Sequence, residues 1–230
     1  MSNNSRIIVI TGAAGGLGRV VADAFLSADA HLVLVDVPSA PLPPSGDRRT
    51  SVAVDLVNAD ATEKALSEVL QKLGPAHVLC NIAGGFTMGT DVHATPDQTW
   101  RHMMDLNVAT LINASRAVVP GMIAAGRGKL INVAAASANS GKANMGAYVM
   151  AKSGVARLTE SMALELREHG INVNAVAPSI IDTEANRRDM PNADFERWVT
   201  PAQLGNVMRF LASEDASAVH GAVIPVTGLS

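Results

Sequence analysis

Cysteine and aromatic residues are scarce in this chain of 230 residues. Cys80 is the single cysteine, and aromatic residues make up only 3% of the sequence. One cysteine excludes a disulfide framework within the chain and suits a reducing compartment, so we expect a cytoplasmic protein. Tyr148 is the sole tyrosine.

The chain also lacks an excess of positive charge and a long apolar run. Lys and Arg number 18 against 21 Asp and Glu, a net charge of −3. This balance argues against nucleic acid or an anionic membrane as the main partner. No apolar run approaches the roughly 18 residues of a membrane span, and the four apolar residues 7–10 are too few for a signal-peptide core. With 48% apolar and 17% charged residues, we expect one globular domain over residues 1–230.

Short apolar runs alternate with segments of helical period. The runs predict seven buried strands, at residues 6–11, 32–35, 51–54, 77–80, 130–133, 171–177 and 222–226. Helices are predicted at residues 16–29, 59–73, 148–168 and 200–212, and from a Thr95 N-cap through Val118 with a break near Pro120. Strands alternating with helices predict an α/β protein with a three-layer Rossmann fold and a doubly wound, seven-stranded parallel sheet. Four prolines within residues 38–50 predict a connection without a full crossover helix.

A glycine-rich turn joins the first predicted strand to the first helix. Its sequence is Thr-Gly-Ala-Ala-Gly-Gly-Leu-Gly over residues 11–18, and the candidate binding residues are Gly12, Gly16, Leu17 and Gly18. Glycines let the backbone approach a pyrophosphate, and the helix N-terminus supplies N–H groups and a positive dipole end. The alternative is a tight turn with no ligand. An acid at the end of the next strand favours dinucleotide binding.

That acid is Asp36, which lies 18 residues after Gly18. A carboxylate at this position accepts a hydrogen bond from the ribose 2′-hydroxyl of NAD and repels the 2′-phosphate of NADP. Arg48 and Arg49 in the proline-rich loop are the contrary signal, because they would meet that phosphate if the loop folded back. Loop arginines are more often simply solvated, so we expect NAD(H) to be preferred over NADP(H).

The Thr-Gly-x-x-x-Gly-x-Gly spacing together with Tyr148-x-x-x-Lys152 resembles the short-chain dehydrogenase/reductase family, over essentially the whole chain. The resemblance implies an NAD(P)-dependent enzyme in which Tyr148, Lys152 and Asn107 are catalytic, Asn107 supporting a proton relay through water. It also implies further cofactor contacts, at Asp55, Leu56, Asn81, Ala83, Gly84, Tyr148, Lys152, Pro178, Ile181 and Thr183.

Tyr148 and Lys152 are four residues apart and share a helix face. A phenol with a pKa near 10 is a poor base at neutral pH. A nearby ammonium group favours the phenolate, so we expect Lys152 to lower the pKa of Tyr148. The reaction this predicts is hydride transfer between a nicotinamide and a carbonyl or alcohol substrate, with Tyr148 as the general acid/base. Candidate walls of the substrate pocket are Phe86, Met145, Met190 and Trp198, each of which is equally compatible with a core position.

One expected side chain is missing. The family places a serine 13 residues before the tyrosine, where this chain has Ala135. Ser137 is a candidate replacement, but on a straight strand it lies roughly 6–7 Å further on. A loop hydroxyl bonded to its own backbone is the alternative for Ser137, and the alanine run around it has no glycine to make a bend.

Two other functions remain open. The dihydropteridine reductase branch of the family also carries alanine at that position, and Ala-Gly-Gly-Phe at 83–86 and residues 181–198 resemble it. That resemblance implies reduction of a quinonoid substrate. A dinucleotide-binding scaffold or sensor with weak turnover is the non-enzymatic alternative. We expect a small-molecule substrate, no metal, and a homodimer or homotetramer. The family resemblance implies that helices around residues 101–119 and 148–166 pair across a two-fold axis, and both carry small residues among apolar ones, namely Ala109, Ala114, Ala151, Gly154, Ala156 and Ala163.

Overall fold

A seven-stranded parallel sheet forms the centre of the computed structural model, which describes residues 5–26 and 30–230. Its strands are β1 Arg6–Thr11, β2 Ala30–Asp36, β3 Arg49–Ala53, β4 Val78–Asn81, β5 Gly128–Val133, β6 Ile171–Pro178 and β7 Val223–Val226. They lie in the order β3-β2-β1-β4-β5-β6-β7, and every neighbouring pair is parallel. The predicted fold class is confirmed, and each predicted strand is present with ends shifted by at most two residues.

Helices cover both faces of the sheet. They are α1 Gly16–Leu26, α2 Ala59–Leu73, α3 Asp97–Met104, α4 Thr110–Ala125, α5 Gly146–Leu166, α6 Glu184–Asp189 and α7 Pro201–Leu211. On one face α1 packs against α7, and on the other α2 packs against α4 while α3 packs against α5. The end of the first predicted helix, residues 27–29, lies outside the described residues. The sheet is therefore buried on both sides, as its continuous apolar strands predict.

Pro120 does not break its helix, and the predicted break is wrong. The helix runs through Pro120 to Ala125 and ends at Gly126, whose φ of 64° is left-handed. A helical proline removes one hydrogen bond and crowds the preceding turn. Here Val118 and Met122, on either side of it, are 1% and 0% exposed. Burial of these side chains in the core holds the last turn of the helix in place despite the proline.

The two predicted helix starts differ in outcome. Thr200 caps α7 as expected, because its hydroxyl accepts from the Gln203 N–H while the Gln203 side chain accepts from the Thr200 N–H. The Thr95 N-cap is wrong: Pro96 occupies the N-cap position of α3 and makes no side-chain cap. The Thr95 hydroxyl instead donates to the Asp91 carbonyl at 2.9 Å, which closes the preceding turn.

The proline-rich segment between β2 and β3 contains no helix, as expected. It runs back along β3, the edge strand. Gly46 and Arg49 form an antiparallel bridge, and the Ser51 N–H donates to the Ser45 hydroxyl at 3.0 Å. The loop therefore covers an edge that would otherwise leave backbone groups free to pair with another chain.

α3 and α4 are joined through the residues Asp105–Ala109, which form a π-helical stretch. The combined helix Asp97–Ala125 has 29 residues, and an 18-residue window within it has a mean hydropathy of 1.4, so it is long and apolar enough to cross a membrane by length and composition alone. Polar residues such as Asn113 and Arg116 interrupt the apolar residues of this helix, so it is not the continuous apolar run whose absence the sequence predicts. Core helices pass the same test, and this one packs against α2, α5 and the sheet.

Candidate active site

The glycine-rich turn at the carboxyl end of β1 is shaped by close backbone approaches. Gly12 has a φ of 64°, and a Cβ there would lie 2.8 Å from the Ala83 nitrogen. A Cβ on Gly18 would lie 2.1 Å from the Gly12 carbonyl oxygen. Leu17 is buried in the core below, so only its backbone can face a ligand. Within the described residues, the N–H groups of Gly16, Leu17 and Gly18 donate no hydrogen bond, which leaves them available to an anion.

Thr11, which the sequence analysis did not single out, ties this turn to the next strand. Its hydroxyl accepts from the backbone N–H groups of Ile82 at 3.0 Å and Ala83 at 3.1 Å. Its position at the last residue of β1, directly before the first glycine, was the available signal. The bond brings the loop of β1 and the turn after β4 to one edge of the sheet.

Asp36 ends β2 beside the same loop. One carboxylate oxygen accepts from the Ala14 N–H at 2.9 Å and the other from the Val37 N–H at 2.8 Å. Arg48 and Arg49 lie at the opposite end of β3, where Arg49 pairs with Leu32. Arg48 donates to the Leu26 carbonyl oxygen and Arg49 to the Pro44 carbonyl oxygen. The contrary signal in the sequence therefore has no geometric basis, because both arginines are held away from Asp36.

The segment after β3 carries Asp55 and Leu56. Leu56 is buried, and the Asp55 carboxylate accepts from the Val57 N–H at 3.0 Å. Asn113 of α4, another residue that sequence reasoning missed, donates to the Leu56 carbonyl at 2.9 Å. This amide fixes the segment against the helix layer beside Asp36, whose carbonyl accepts from the Val54 N–H.

The turn after β4 approaches the helix layer so closely that only glycine fits. A Cβ on Gly84 would lie 2.7 Å from the Asn107 Oδ1 and 3.3 Å from the Lys152 Nζ. The Asn107 amide accepts from the Gly85 N–H at 3.2 Å and donates to the Gly85 and Met103 carbonyls. Asn107 sits in the π-helical stretch, a feature frequent at functional sites. Its side chain therefore positions the turn that faces Lys152.

Lys152 is 6% exposed, and its ammonium group donates to the Val133 carbonyl at the end of β5 at 2.7 Å. Burial lowers the pKa of Lys152 to about 8. Burial also raises the pKa of Tyr148 to about 12, which is opposite to the expected depression. The loss of hydration therefore outweighs any help from the lysine, whose ammonium group donates to Val133.

Tyr148 packs edge-on against Phe86, with ring centroids 4.8 Å apart and an interplanar angle of 81°. Phe86 itself is 55% exposed, so it forms an outer wall beside the phenol. Met145 and Met190 are half-buried. Trp198 is 5% exposed and packs against Phe195, which places its ring in the interior rather than on a pocket wall.

Ala135 is followed directly by a bend. The chain turns into a single 3-10 turn at Ala136–Asn139, so the expectation of a straight strand is wrong. Ser153 of α5 holds the turn by donating to the Ala138 carbonyl at 2.8 Å. Among the described residues, the half-buried hydroxyl of Ser137 has no hydrogen-bond partner, neither Tyr148 nor its own backbone. The predicted backbone-bonded hydroxyl is therefore not observed.

A buried polar chain runs beneath the site. Asn81 donates to Asn132 at 2.9 Å, and Asn132 donates to the Thr159 hydroxyl of α5 at 2.9 Å. The Asn81 Oδ1 is buried without a partner among the described residues, at the end of β4 where a ligand group with a donor would satisfy it. Sequence reasoning named Asn81 and missed the other two.

The segment after β6 folds back over the glycine loop. Pro178 ends β6 and Ile181 bridges to Val199. Thr183 caps α6, a helix the sequence analysis did not predict, by accepting from the Asn186 N–H at 3.2 Å. The Thr183 methyl group lies 3.2 Å from where a Cβ of Gly16 would be. Since the hydroxyl uses only its acceptor in the cap, its proton remains available to a ligand oxygen.

Together these residues fit a dinucleotide. The loop after β1 has free N–H groups, and its glycines leave space that any side chain would occupy. Asp36 lies beside this loop, and the Asn81 Oδ1 has no hydrogen-bond donor among the described residues. Among residues 5–26 and 30–230, no group of three or more His, Cys, Asp and Glu side chains has the arrangement of a metal site. Burial raises the pKa of the Cys80 thiol to about 12, so it is no nucleophile.

Comparison with known proteins agrees with this geometry. A family model described as short chain dehydrogenase matches residues 6–194. The meso-2,3-butanediol dehydrogenase of Serratia marcescens is 33% identical to this chain over an alignment of 243 positions, gaps included. The alignment covers 99% of this chain and 95% of that protein.

Two solved structures have the same fold. Carveol dehydrogenase from Mycobacterium avium in complex with NAD has a TM-score of 0.85 at 25% identity and covers 98% of each chain. Gluconate 5-dehydrogenase from Burkholderia cenocepacia in complex with NADP and tartrate has a TM-score of 0.87 at 25% identity, covering 97% of this chain and 94% of that one. The chain therefore belongs to the short-chain dehydrogenase/reductase family of NAD(P)-dependent oxidoreductases.

Proposed function

We propose that this protein catalyses reversible hydride transfer between NAD(H) and a carbonyl or alcohol substrate, with Tyr148 as general acid/base. The observation that carries the proposal is the placement of Lys152. Its ammonium group is buried beside a turn that only Gly84 allows, and it lies one helical turn from the sole tyrosine. A buried cation without a carboxylate partner among the described residues is costly, and such groups concentrate at functional sites.

A nicotinamide dinucleotide held by the β1 loop would supply or accept the hydride. In reduction, the Tyr148 hydroxyl donates its proton to the substrate oxygen. A pKa of about 12 keeps the phenol protonated until a positive charge stabilises the phenolate. Lys152 would supply that charge only in part, together with the positive charge of a bound oxidised nicotinamide; in the family the chain resembles, the lysine also binds ribose hydroxyls. Asn107 holds the turn at Gly85 and so fixes the neighbouring Gly84 against the Lys152 ammonium group.

Preference for NAD(H) over NADP(H) is the finer part of the proposal. The Asp36 carboxylate is fixed by two backbone N–H groups at 2.8 and 2.9 Å. A 2′-phosphate beside it would place two like charges close together, which is strongly unfavourable in a partly screened site. Arg48 and Arg49 are bound at the other end of β3, which removes the residues that would compensate.

The substrate class is tested most directly by coenzyme oxidation with a carbonyl panel. A relative is named for meso-2,3-butanediol and a structural neighbour for gluconate, so the panel includes small hydroxyketones and polyol-derived ketones. We expect NADH oxidation with at least one such ketone and weaker oxidation of NADPH. No turnover with any carbonyl, in purified protein shown to bind NADH, would contradict the proposal.

Reduction of a quinonoid substrate is a second candidate function. Ala135 lacks the hydroxyl that stabilises a developing oxyanion, and Ser137 makes no hydrogen bond to Tyr148. A quinonoid acceptor needs less stabilisation, because aromatisation already favours hydride uptake. Faster turnover of a quinonoid dihydropterin than of every ketone would favour this candidate.

Assembly and compartment complete the proposal. Of the six small residues expected at a dimer interface, Ala114, Ala151, Ala156 and Ala163 are buried within the protomer, so these four do not support an interface. The exposed apolar residues on these helices are larger, namely Met104, Met150 and Leu164. They support a homodimer or homotetramer through the same helices.

The buried single cysteine suits the reducing cytoplasm.

A further inference from the structure

A basic pocket of about 350 Å³ lies at the amino-terminal edge of the sheet. Its charged and titratable lining includes Arg6, His77, Arg127, Lys129, Arg167 and His220. These residues sit at the starts of β1, β4, β5 and β6 and in the loops beside them. The candidate active site occupies the carboxyl ends of the same strands, roughly 15–20 Å away along β5.

The charge of this pocket is unbalanced. Four of its lining residues are arginine or lysine, and Glu214 is the acidic one, in a chain whose net charge is −3; Arg167 also pairs with Glu168 at 3.6 Å, which leaves three of the cations without a carboxylate partner among the described residues. Lys129 is 7% exposed, and its ammonium group donates to the Asn172 side-chain oxygen at 2.9 Å. Among the described residues no carboxylate lies within ion-pair distance of Lys129. A largely buried lysine whose partly buried ammonium group has only a neutral oxygen as its partner favours an anion nearby.

The hydrogen bonds of His77 also indicate that the pocket lacks an acceptor group. Its Nδ1 accepts from the Ile7 N–H at 3.0 Å, so the proton of the neutral ring is on Nε2. The Arg127 guanidinium lies 3.2 Å from that Nε2. A guanidinium carries only donors, so two donors face each other across this contact. An oxyanion would accept from both.

His220 completes the arrangement on the other side. Its Nδ1 accepts from the Val173 N–H at 3.4 Å, which leaves a proton on Nε2 as a donor. Burial lowers the pKa values of His77 and His220, and nearby cations lower them further: Arg127 and Arg6 act on His77, Arg167 and Lys129 on His220. Both rings are therefore neutral donors in a field that favours a negative ligand.

We propose that the basic pocket is a second ligand site, which binds a small oxyanion with two or more negative charges. The ligand class is a phosphorylated metabolite or a polycarboxylate, because both present clustered acceptor oxygens that match Lys129, Arg127 and the two histidines. The site is separate from the dinucleotide cradle and does not depend on the proposed reaction.

The test is binding of three probes to NADH-saturated protein, in which the cofactor occupies the other phosphate site. Inorganic phosphate, glucose 6-phosphate and citrate are titrated against chloride of equal ionic strength, by calorimetry. Histidine ring resonances are followed in parallel, since two of the six histidines line the pocket. The comparison between the phosphates and citrate distinguishes a phosphate ligand from a polycarboxylate.

We expect one saturable site and shifts of two histidine resonances. Arg127→Gln and Lys129→Met should each weaken binding at least about tenfold, since each removes one charged hydrogen bond. Arg116→Gln, on the exposed side of α4 outside the pocket, is the matched control and should bind normally. If Lys129→Met does not fold, the comparison of Arg127→Gln with this control decides. No saturable binding of any probe, or equal binding by Arg127→Gln and wild type, would overturn the proposal.

Discussion

Replacing Lys152 with methionine should change how stability depends on pH. Burial lowers the pKa of Lys152 from 10.5 to about 8, which corresponds to a penalty of about 3 kcal/mol for the ionised side chain. That penalty is fully present below pH 8, where the lysine is charged in both the folded and unfolded chains. It fades as pH rises from 8 to 10.5, where the folded lysine is neutral and the unfolded one is still charged.

Methionine keeps the apolar stem and has no charge, so the variant never carries this penalty. The loss of the bond to the Val133 carbonyl costs about 1–3 kcal/mol independently of pH. At pH 7 the difference in unfolding free energy between wild type and Lys152→Met therefore reflects both the ionisation penalty and the lost hydrogen bond. The change of that difference with pH reflects the ionisation of Lys152 alone. Between pH 7 and 10.5 the wild type should gain about 3 kcal/mol relative to Lys152→Met.

Urea unfolding at several pH values measures this difference, provided that the transition is two-state. Tyr148 and Cys80, whose pKa values are raised to about 12, titrate in both proteins and cancel. Lys64→Met, which removes an exposed lysine of α2, is the matched control. A flat difference for Lys152→Met would refute the reasoning that this ammonium is desolvated in the folded chain.

Three further predictions concern coenzyme, chemistry and assembly. Asp36→Asn should raise the ratio of kcat/KM for NADPH to that for NADH about tenfold or more, because a like charge is removed beside the 2′-phosphate; an unchanged ratio would argue against Asp36 as the selecting residue. Ala135→Ser should raise ketone reduction by up to about 10², whereas the matched Ala136→Ser should not. If Ser137 already supplies that donor, Ser137→Ala should instead lower kcat by about 10²–10³. Light scattering at micromolar concentration should give a dimer or tetramer, and a monomer would contradict the exposed Met150 and Leu164 as interface residues.

The order and type of the main elements could be predicted from the sequence, because apolar runs and helical spacing reflect burial directly. The positions of the β1 loop and Asp36 were predictable for a different reason, because local geometry sets their spacing along the chain. Pro120 shows the limit: its local effect is helix-breaking, but burial of Val118 and Met122 is a tertiary property that spacing alone does not weigh.

The electrostatics of the site could not be predicted. The i, i+4 spacing of Tyr148 and Lys152 indicates a shared face, but the direction of a pKa shift depends on how deeply each group is buried. Both groups lost enough hydration that desolvation dominates. The basic pocket was likewise invisible, because Arg6, His77, Lys129 and His220 are far apart in the sequence and meet only through the parallel order of the strands.

The central claim is that Tyr148 moves the proton of the reaction. Phenylalanine keeps the ring against Phe86 and removes only the hydroxyl, so the most direct measurement compares turnover and NADH binding of Tyr148→Phe with the wild type, on whichever carbonyl the wild type reduces. The account predicts that kcat falls at least about 10²-fold while the dissociation constant of NADH stays within a factor of two or three. Turnover retained in Tyr148→Phe at near wild-type rate would contradict it.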